Sequence, residues 1–237
     1  PDELPAFRTE DGRLPFGYET TGDETWFTCR FDPEPTARRV FWFHRPSTLG
    51  DMIEDRVEGR RGSLRARVHD IEPLPAKEHT PWLRDAQHAA ITNLEQSLQD
   101  NKPRALIQMA TGSGKTFAAA NIAERLITQG GAQRILFLVD RANLGKQTLK
   151  EFQGFDVPGT GRKFSELYNV QRLGSNHVDP VAKVCISTIQ RVYSILRGDD
   201  TFDDELDEHS TFDHEPERTV EVDYNEHLPI EAFDVII

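Results

Sequence analysis

A seven-residue stretch, ATGSGKT at positions 110–116, constrains the fold of this chain more than any other feature of its sequence. It stands between an apolar run at residues 105–109, which predicts a strand, and a helical pattern at residues 116–128. Gly112 and Gly114 allow successive backbone N–H groups to turn inward, and a helix N-terminus favours negative charge. The stretch therefore predicts a strand–loop–helix unit whose loop binds the phosphates of a nucleotide.

The residue types within this loop predict ATP and Mg²⁺ as its ligands. Lys115 would reach the β- and γ-phosphates, and the Thr116 hydroxyl would complete the Mg²⁺ shell, so both are candidate catalytic residues. The other predicted phosphate-binding residues are Thr111, Gly112, Ser113 and Gly114. Met109 stands where the general pattern has its first glycine, a departure at the loop entry. An unliganded turn is the alternative, but GxGK[ST] arises by chance in this length in fewer than about one chain in a hundred.

A glutamine upstream of the loop is a candidate for adenine recognition. The amide of Gln87 offers one acceptor and two donors, which match the N7 acceptor and N6 donor of adenine and would favour ATP over GTP. A solvated glutamine on a helix is the alternative. Trp82 either stacks on the base or packs the preceding segment against the core.

Strand and helix patterns alternate through the C-terminal two thirds of the chain. Strands rich in Ile, Leu and Val that alternate with helices favour an α/β fold with a parallel sheet covered on both faces. The predicted helices are 83–98, 116–128, 144–152 and 188–197, and the strands after the loop are 134–139, 184–187 and 233–237.

The N-terminal third differs in character and predicts two further units. Residues 1–45 form a β-rich appendage with strands at 16–18, 25–31 and 40–43, and residues 46–80 form a basic, helix-poor linker before a main lobe at 81–237. The linker arginines are Arg56, Arg60, Arg61, Arg65 and Arg67. They either touch phosphates or form a solvated face.

The net charge of −12 is concentrated in one segment. Residues 199–231 carry fourteen Asp or Glu and one Arg, a local charge of −13, which leaves the other 204 residues at +1. Because the negative charge is confined to this segment, it would repel nucleic acid only there. We expect the segment to be a mobile, acidic surface insertion. The histidines at 209, 214 and 227 within it lack a metal-ligand spacing, so a solvated loop is the favoured interpretation.

The remaining composition predicts a soluble cytoplasmic protein. Cys29 and Cys185 lie far apart without a metal or disulfide spacing, which favours reduced thiols. No apolar stretch approaches the length of a membrane span, and no signal peptide pattern is present.

Together these motifs resemble a known family of motors. The loop, Gln87, the segment 138–141 with Leu144 and Gln147, and the segment 187–191 are similar to motifs I, Q, Ia and Ib of superfamily 2 helicases. Within that superfamily, residues 40–46 and 139–141 resemble the R (restriction and motor) subunit of type I restriction-modification enzymes.

This resemblance implies a RecA-like P-loop lobe that helps to translocate double-stranded DNA with ATP. It also implies a type I site-specific deoxyribonuclease that assembles with methyltransferase and specificity subunits. Arg141, Thr188 and Gln190 would contact the DNA backbone, as their placement after parallel strands allows. The alternative is strand-end capping, with Asp140 pairing with Arg141 or closing the next helix.

The resemblance also sets expectations for this stretch of chain alone. The run 233–237 should lead to an acidic pair that holds Mg²⁺ and places the attacking water. We expect the 237 residues by themselves to bind ATP weakly without turning it over. In the resembled family a PD-(D/E)xK nuclease domain precedes the motor, but no Glu-x-Lys occurs in this sequence. Residues 1–45 would then be the trailing edge of that domain or a spacer after it, and DNA cutting is not expected.

Other classes of protein stay open on the sequence alone. One is a non-catalytic, nucleotide-gated interaction module whose acidic insertion engages a basic partner. Another is a different superfamily 2 enzyme, such as a repair or type III restriction motor. A small-molecule kinase is the least favoured, since it would leave Gln87 and the segment 187–191 unexplained.

Overall fold

The computed structural model describes residue 9 and residues 12–60, 62–199, 207–209, 225–226 and 228–237. The interpretations placed on Arg61, His214, His227 and most of the acidic insertion lie outside these residues. The strands are β1 (Phe16–Thr20), β2 (Thr25–Cys29), β3 (Arg38–Val40), β4 (Ile135–Val139), β5 (Asp156–Val157), β6 (Arg162–Lys163), β7 (Val170–Arg172), β8 (Val184–Thr188) and β9 (Val235–Ile236). The helices are α1 (Pro46–Val57), α2 (Leu64–Arg67), α3 (Asp85–Gln99), α4 (Lys115–Thr128), α5 (Ala142–Gly154), α6 (Phe164–Leu167) and α7 (Ile189–Arg197).

A four-stranded parallel sheet, in the order β7-β8-β4-β9, forms the centre of the main lobe. Side chains alternate between its two faces, as the period of a strand requires. Ile135 and Val139 of β4 join the core formed with α4 and α5 on one face, while Leu136 joins a smaller cluster with Val192 of α7 on the other. The predicted α/β fold, with a parallel sheet covered on both faces, is confirmed.

The strand predicted at residues 105–109 is absent, and this prediction is wrong. Residues 102–110 have no regular structure, and within the described ranges no ladder of backbone hydrogen bonds joins this stretch to β7 or β9. Leu106 is 95% exposed, and a cleft of about 600 Å³ opens between the stretch and α3. An apolar run becomes a strand only when a neighbour satisfies its backbone groups, so composition alone misled here.

Helices α3 and α4 are joined by a buried ion pair that sets the position of the loop before α4. Arg125 of α4 donates to both carboxylate oxygens of Glu95 of α3, at 3.0 Å between Nη2 and Oε2, and its Nη2 also donates to the carbonyl of Glu72. Both side chains are about 10% exposed. Removing one partner of such a pair costs about 3–5 kcal/mol, so the pair holds the two helices in register.

The N-terminal appendage is an antiparallel sheet of three strands in the order β1-β2-β3. Two of its predicted strands are confirmed, but the third ends at Val40 rather than Phe43. Val40 pairs with Thr25, the first residue of β2, so no partner remains for the residues that follow. Phe41, Trp42 and Phe43 are consequently about 40% exposed.

The linker is not helix-poor, in contrast to the prediction. Its twelve-residue helix α1 begins at Pro46, and proline is well suited to the first turn because its missing N–H has no helical partner there. The arginines that the structure describes make contacts within the chain rather than presenting a bare basic face. Arg60 pairs with Asp55 and Arg65 with the buried Asp32, and Arg67 donates to the carbonyl of Gly130 at 2.9 Å.

A carboxylate near β9 connects the linker to the main lobe. Glu231 accepts from the backbone N–H and the guanidinium of Arg45 and from the hydroxyl of Thr48, at 3.2, 2.7 and 2.9 Å. These donors lie at the start of α1, where the helix dipole favours a negative charge. The acidic insertion is therefore anchored at this end rather than wholly solvated.

Both cysteines are buried. Burial raises the pKa of both Cys29 and Cys185 to about 11, so each is a protonated, free thiol. Among the described residues, no group of His, Cys, Asp and Glu side chains is arranged to hold a metal ion. No helix in that part of the chain is sufficiently long and apolar to cross a bilayer.

Candidate functional site

The glycine-rich loop turns into the N-terminus of α4 in the manner its sequence predicts. Gly112 and Gly114 have φ values of +76° and +84°, a conformation that other residues adopt only under strain. Gly114 caps α4 without any side-chain hydrogen bond to the first turn. The backbone N–H groups of that turn have no side-chain acceptor at the cap, and such groups at a helix N-terminus stabilise an anion.

Lys115 and Thr116, the first two residues of α4, lie at the mouth of this loop. Lys115 is exposed, and its Nζ donates to the carbonyls of Met109 and Ala110 at 3.3 and 3.2 Å. The ammonium thus lies over the loop and does not enter the core. Neutral carbonyls bind a cation less strongly than phosphate oxygens do, so these bonds can be exchanged for bonds to a ligand. Thr116 is half-buried beside it.

Gln87 is engaged with the loop itself. It is 3% exposed, its Nε2 donates to the carbonyls of Ser113 and Gly114 at 3.0 and 3.3 Å, and its Oε1 accepts from the N–H of Arg84 at 2.8 Å. The Arg84 guanidinium donates to the carbonyl of Gly112 at 3.1 Å. The start of α3 therefore supports three successive loop carbonyls. Adenine recognition by Gln87 stays a prediction, and Arg84 is a supporting residue that the motif pattern did not single out.

An open cleft of about 680 Å³ lies near the N-terminus of α4 and is lined by three aromatic side chains. Trp82 is 46% exposed on one part of its wall, and Phe117, two residues beyond Lys115, lies on another. Phe155 and the turn at Gly159 and Gly161 complete the apolar part. Trp82 is thus partly available to a planar ligand rather than packed into the core.

Arg141 follows β4 directly and caps α5 at the carboxyl edge of the sheet. Its side chain is 46% exposed, and its Nε lies 3.5 Å from Oδ2 of Asp140. The pairing with Asp140 that we considered as the alternative is present. Such an exposed pair contributes at most about 1 kcal/mol, so it leaves the guanidinium able to exchange partners.

Thr188 and Gln190 lie at the end of the neighbouring strand β8, but they face the chain's own acidic segment. Thr188 is 4% exposed, and its hydroxyl accepts from the N–H of Arg191 and donates to Asp207. The Nε2 of Gln190 donates to the carbonyl of His209 at 3.0 Å. Strand-end capping, the alternative for Thr188, is present, and the role of both residues in DNA binding stays a prediction.

Two residues that contact each other at the start of α7 were not singled out from the sequence. Arg191 is 3% exposed and donates to Oδ2 of Asp207 through Nε and Nη2, at 3.1 and 2.6 Å. Arg191 could have been noticed as the cation nearest Thr188 in the segment 187–191. Nothing in the sequence distinguishes Asp207 from the other carboxylates of the insertion.

The sequence of this chain is similar to those of restriction-enzyme subunits. The family model described as "Type III restriction enzyme, res subunit" matches residues 81–237. The endonuclease subunit of type I restriction enzyme EcoKI from Escherichia coli K12 is 28% identical over 188 residues, which cover 75% of this chain and 15% of that protein. The EcoAI endonuclease subunit from Escherichia coli is 38% identical over 88 residues, 35% of this chain and 11% of that protein.

A solved structure is also similar in sequence, although the overall superposition is poor. It is a fragment assigned to the HsdR subunit of a type I restriction enzyme from Vibrio vulnificus YJ016. It is 22% identical, with a TM-score of 0.35, over 78% of this chain and 31% of that one. The chain spans 15% or less of the length of the two Escherichia coli relatives.

The family match covers the parallel sheet, the glycine-rich loop and both strand-end loops, and the sequence relatives are type I endonuclease subunits. The lobe is thus of the RecA-like helicase type that the motifs implied. The chain belongs to the restriction-enzyme res-subunit family.

Proposed function

We propose that this chain forms the ATP-binding lobe of a motor that translocates double-stranded DNA for a type I restriction-modification complex. The whole protein would hydrolyse ATP and act as an endonuclease together with methyltransferase and specificity subunits. The observation that carries the proposal is the loop at residues 111–116. It has two glycines with positive φ at the N-terminus of a fourteen-residue helix and an exposed lysine at its mouth.

The geometry of the loop suits a triphosphate with its metal ion. Backbone N–H groups of the loop and of the first turn of α4 would hold the β-phosphate, and Lys115 would move from the carbonyls of Met109 and Ala110 to the γ-phosphate. Mg²⁺ commonly keeps several waters and takes only one or two protein ligands beside phosphate oxygens. The Thr116 hydroxyl fits as one such ligand, and the ion would neutralise phosphate charge during transfer.

The base would lie in the aromatic cleft beside the loop. Trp82 and Phe117 offer apolar surface for stacking, which binds any purine. Gln87 and Arg84 would act mainly on the phosphate end, since their side chains support the loop carbonyls. A preference for adenine would then depend on Gln87 exchanging one of these bonds for the base.

DNA would contact the carboxyl edge of the sheet beside the nucleotide. Arg141 is the exposed cation on this edge, at the start of α5, and it would bind a backbone phosphate by charge. Thr188 and Gln190 belong to the adjacent strand end and would add hydrogen bonds that position the duplex. Phosphate contacts of this kind carry no sequence information.

Replacement of Lys115 tests the nucleotide site most directly. In the full-length protein, Lys115→Ala should weaken binding of a fluorescent ATP analogue by roughly 10- to 100-fold, because a hydrogen bond to a charged group contributes about 1.5–3 kcal/mol. Lys102→Ala is the matched control, since Lys102 is 69% exposed and pairs only weakly with Asp100 at 3.6 Å. Equal affinities in the two variants would refute the nucleotide site.

A further inference from the structure

A carboxylate from the acidic insertion lies at the junction of β8 and α7, where DNA is proposed to bind. Asp207 is 4% exposed. Its Oδ2 accepts from Nε and Nη2 of Arg191 at 3.1 and 2.6 Å, and its Oδ1 accepts from the hydroxyl of Thr188. A carboxylate of the chain itself thus binds both the guanidinium of Arg191 and the hydroxyl of Thr188.

The position of Asp207 is that of a ligand in an open α/β sheet. It lines a small crevice together with Val139 at the end of β4, Thr188 at the end of β8 and Arg172 at the end of β7. Ligands of such sheets bind outside the carboxyl ends of the strands. The space left in the crevice is about 10 Å³, which is at most the volume needed for one water molecule.

The donors around Asp207 match those that recognise a phosphate. A guanidinium and a hydroxyl donate to one planar anion, and the same pair of donors can bind phosphate oxygens. The contact extends to His209, whose carbonyl accepts from Gln190 Nε2. Gln190 Oε1, in contrast, is buried with no hydrogen-bond partner among the described residues, so the closed arrangement leaves one polar atom unsatisfied.

We propose that residues 207–209 act as an internal competitor of DNA, with the Asp207 carboxylate in the position of a backbone phosphate. The proposal rests on the DNA-binding role put forward above. DNA would contact Thr188 and Gln190 only after displacing residues 207–209 from them. DNA binding would therefore require the release of this segment.

Removal of one charge separates this proposal from general repulsion of DNA. The full-length protein and its Asp207→Asn variant would be titrated with a short fluorescent duplex, without nucleotide, and followed by anisotropy. If the closed form predominates, Asp207→Asn should raise the DNA affinity by about tenfold, since the observed affinity scales with the fraction of competent molecules. Asp199→Asn is the matched control, because Asp199 belongs to the same acidic stretch but pairs with Arg197 at 2.8 Å, at the other end of α7.

Each outcome decides the proposal. A gain for Asp207→Asn that clearly exceeds that of Asp199→Asn supports it. Equal gains would show that only the overall charge matters, and a lower affinity for Asp207→Asn would show that the ion pair is structural; either result overturns it.

Hydrogen exchange of the unmodified protein keeps the test valid if Asp207→Asn does not fold. On addition of duplex DNA, peptides that contain residues 207–209 should exchange faster while those that contain residues 188–191 exchange more slowly. Unchanged or slower exchange at residues 207–209 in a DNA complex would overturn the proposal. Absence of any DNA binding by the unmodified protein and by Asp207→Asn would instead remove the proposed function on which it rests.

Discussion

Two segments of this lobe, the glycine-rich loop before α4 and the junction of β8 and α7, offer hydrogen-bond donors to anions, and they differ in the acceptors that already bind those donors. The loop at residues 110–116 is exposed at Lys115, whose ammonium donates to neutral carbonyls of the loop itself. The junction of β8 and α7 at residues 187–191 is largely buried, and the guanidinium of Arg191 donates there to a carboxylate sixteen residues away along the chain. The first segment can accept phosphates by a small exchange of hydrogen bonds, whereas the second must first lose a charged partner.

This difference predicts that nucleotide binding and DNA binding, the two steps of the proposed motor, respond differently to the acidic insertion. Binding of nucleotide at Lys115 should be independent of the acidic insertion, because no described contact joins the insertion to the first loop. Binding of DNA should depend on it, because Asp207 holds Thr188 and Arg191. Three further substitutions test this contrast, in order of decreasing expected effect.

The backbone of the first loop is the most sensitive point. Gly114→Ala should lower nucleotide affinity by at least about tenfold, because φ is +84° and the new Cβ would lie 2.3 Å from the anchored Nε2 of Gln87. Gly59→Ala is the control, with φ of +79° and nothing within 4 Å. It should cost only the backbone strain, about 1–2 kcal/mol of unfolding free energy in a chemical denaturation, and leave nucleotide affinity unchanged. Similar nucleotide affinities for both variants would show that the loop conformation is not required.

Gln87 separates support of the loop from recognition of the base. If Gln87 mainly holds the carbonyls of Ser113 and Gly114, Gln87→Leu should weaken ATP and GTP alike, by roughly fivefold to tenfold, since about 1–1.5 kcal/mol of hydrogen bonding is lost. Competition titrations with both nucleotides measure this. A loss confined to ATP would instead establish the adenine role predicted from the sequence, and preserved affinity for both would exclude either role.

Substitution of Arg141 should have the smallest effect on affinity, since it removes one contact at the exposed part of the proposed DNA-binding edge. Arg141→Ala should reduce the slope of log affinity for duplex DNA against log salt by about one, because one phosphate contact is lost. Arg39→Ala is the control; Arg39 is 63% exposed and pairs with Glu24 in the appendage, away from the sheet edge. A slope that Arg141→Ala leaves unchanged, or that both variants reduce equally, would place the DNA elsewhere.

Elements with a strong local pattern were predictable from the sequence, and elements that need a distant partner were not. Helix α4 and its loop follow from the glycines at 112 and 114 and from an uninterrupted helical pattern, and the structure begins the helix at Lys115. The run at 105–109 is also apolar, yet it forms no strand, and no neighbour among the described residues pairs with it. The short hairpin of β5 and β6 was missed, since two-residue strands leave no periodicity to detect.

The candidate site divides in the same way. The sequence by itself determined the conformation of the loop at residues 110–116, because that conformation depends on neighbouring residues whose backbone angles glycine permits. Only the tertiary structure decided that Gln87 and Arg84 support this loop and that Asp207 covers Thr188 and Arg191. The physical reason is that an ion pair or an anchored amide depends on distance in space, and a carboxylate within a long acidic stretch carries no local mark of which cation it will meet.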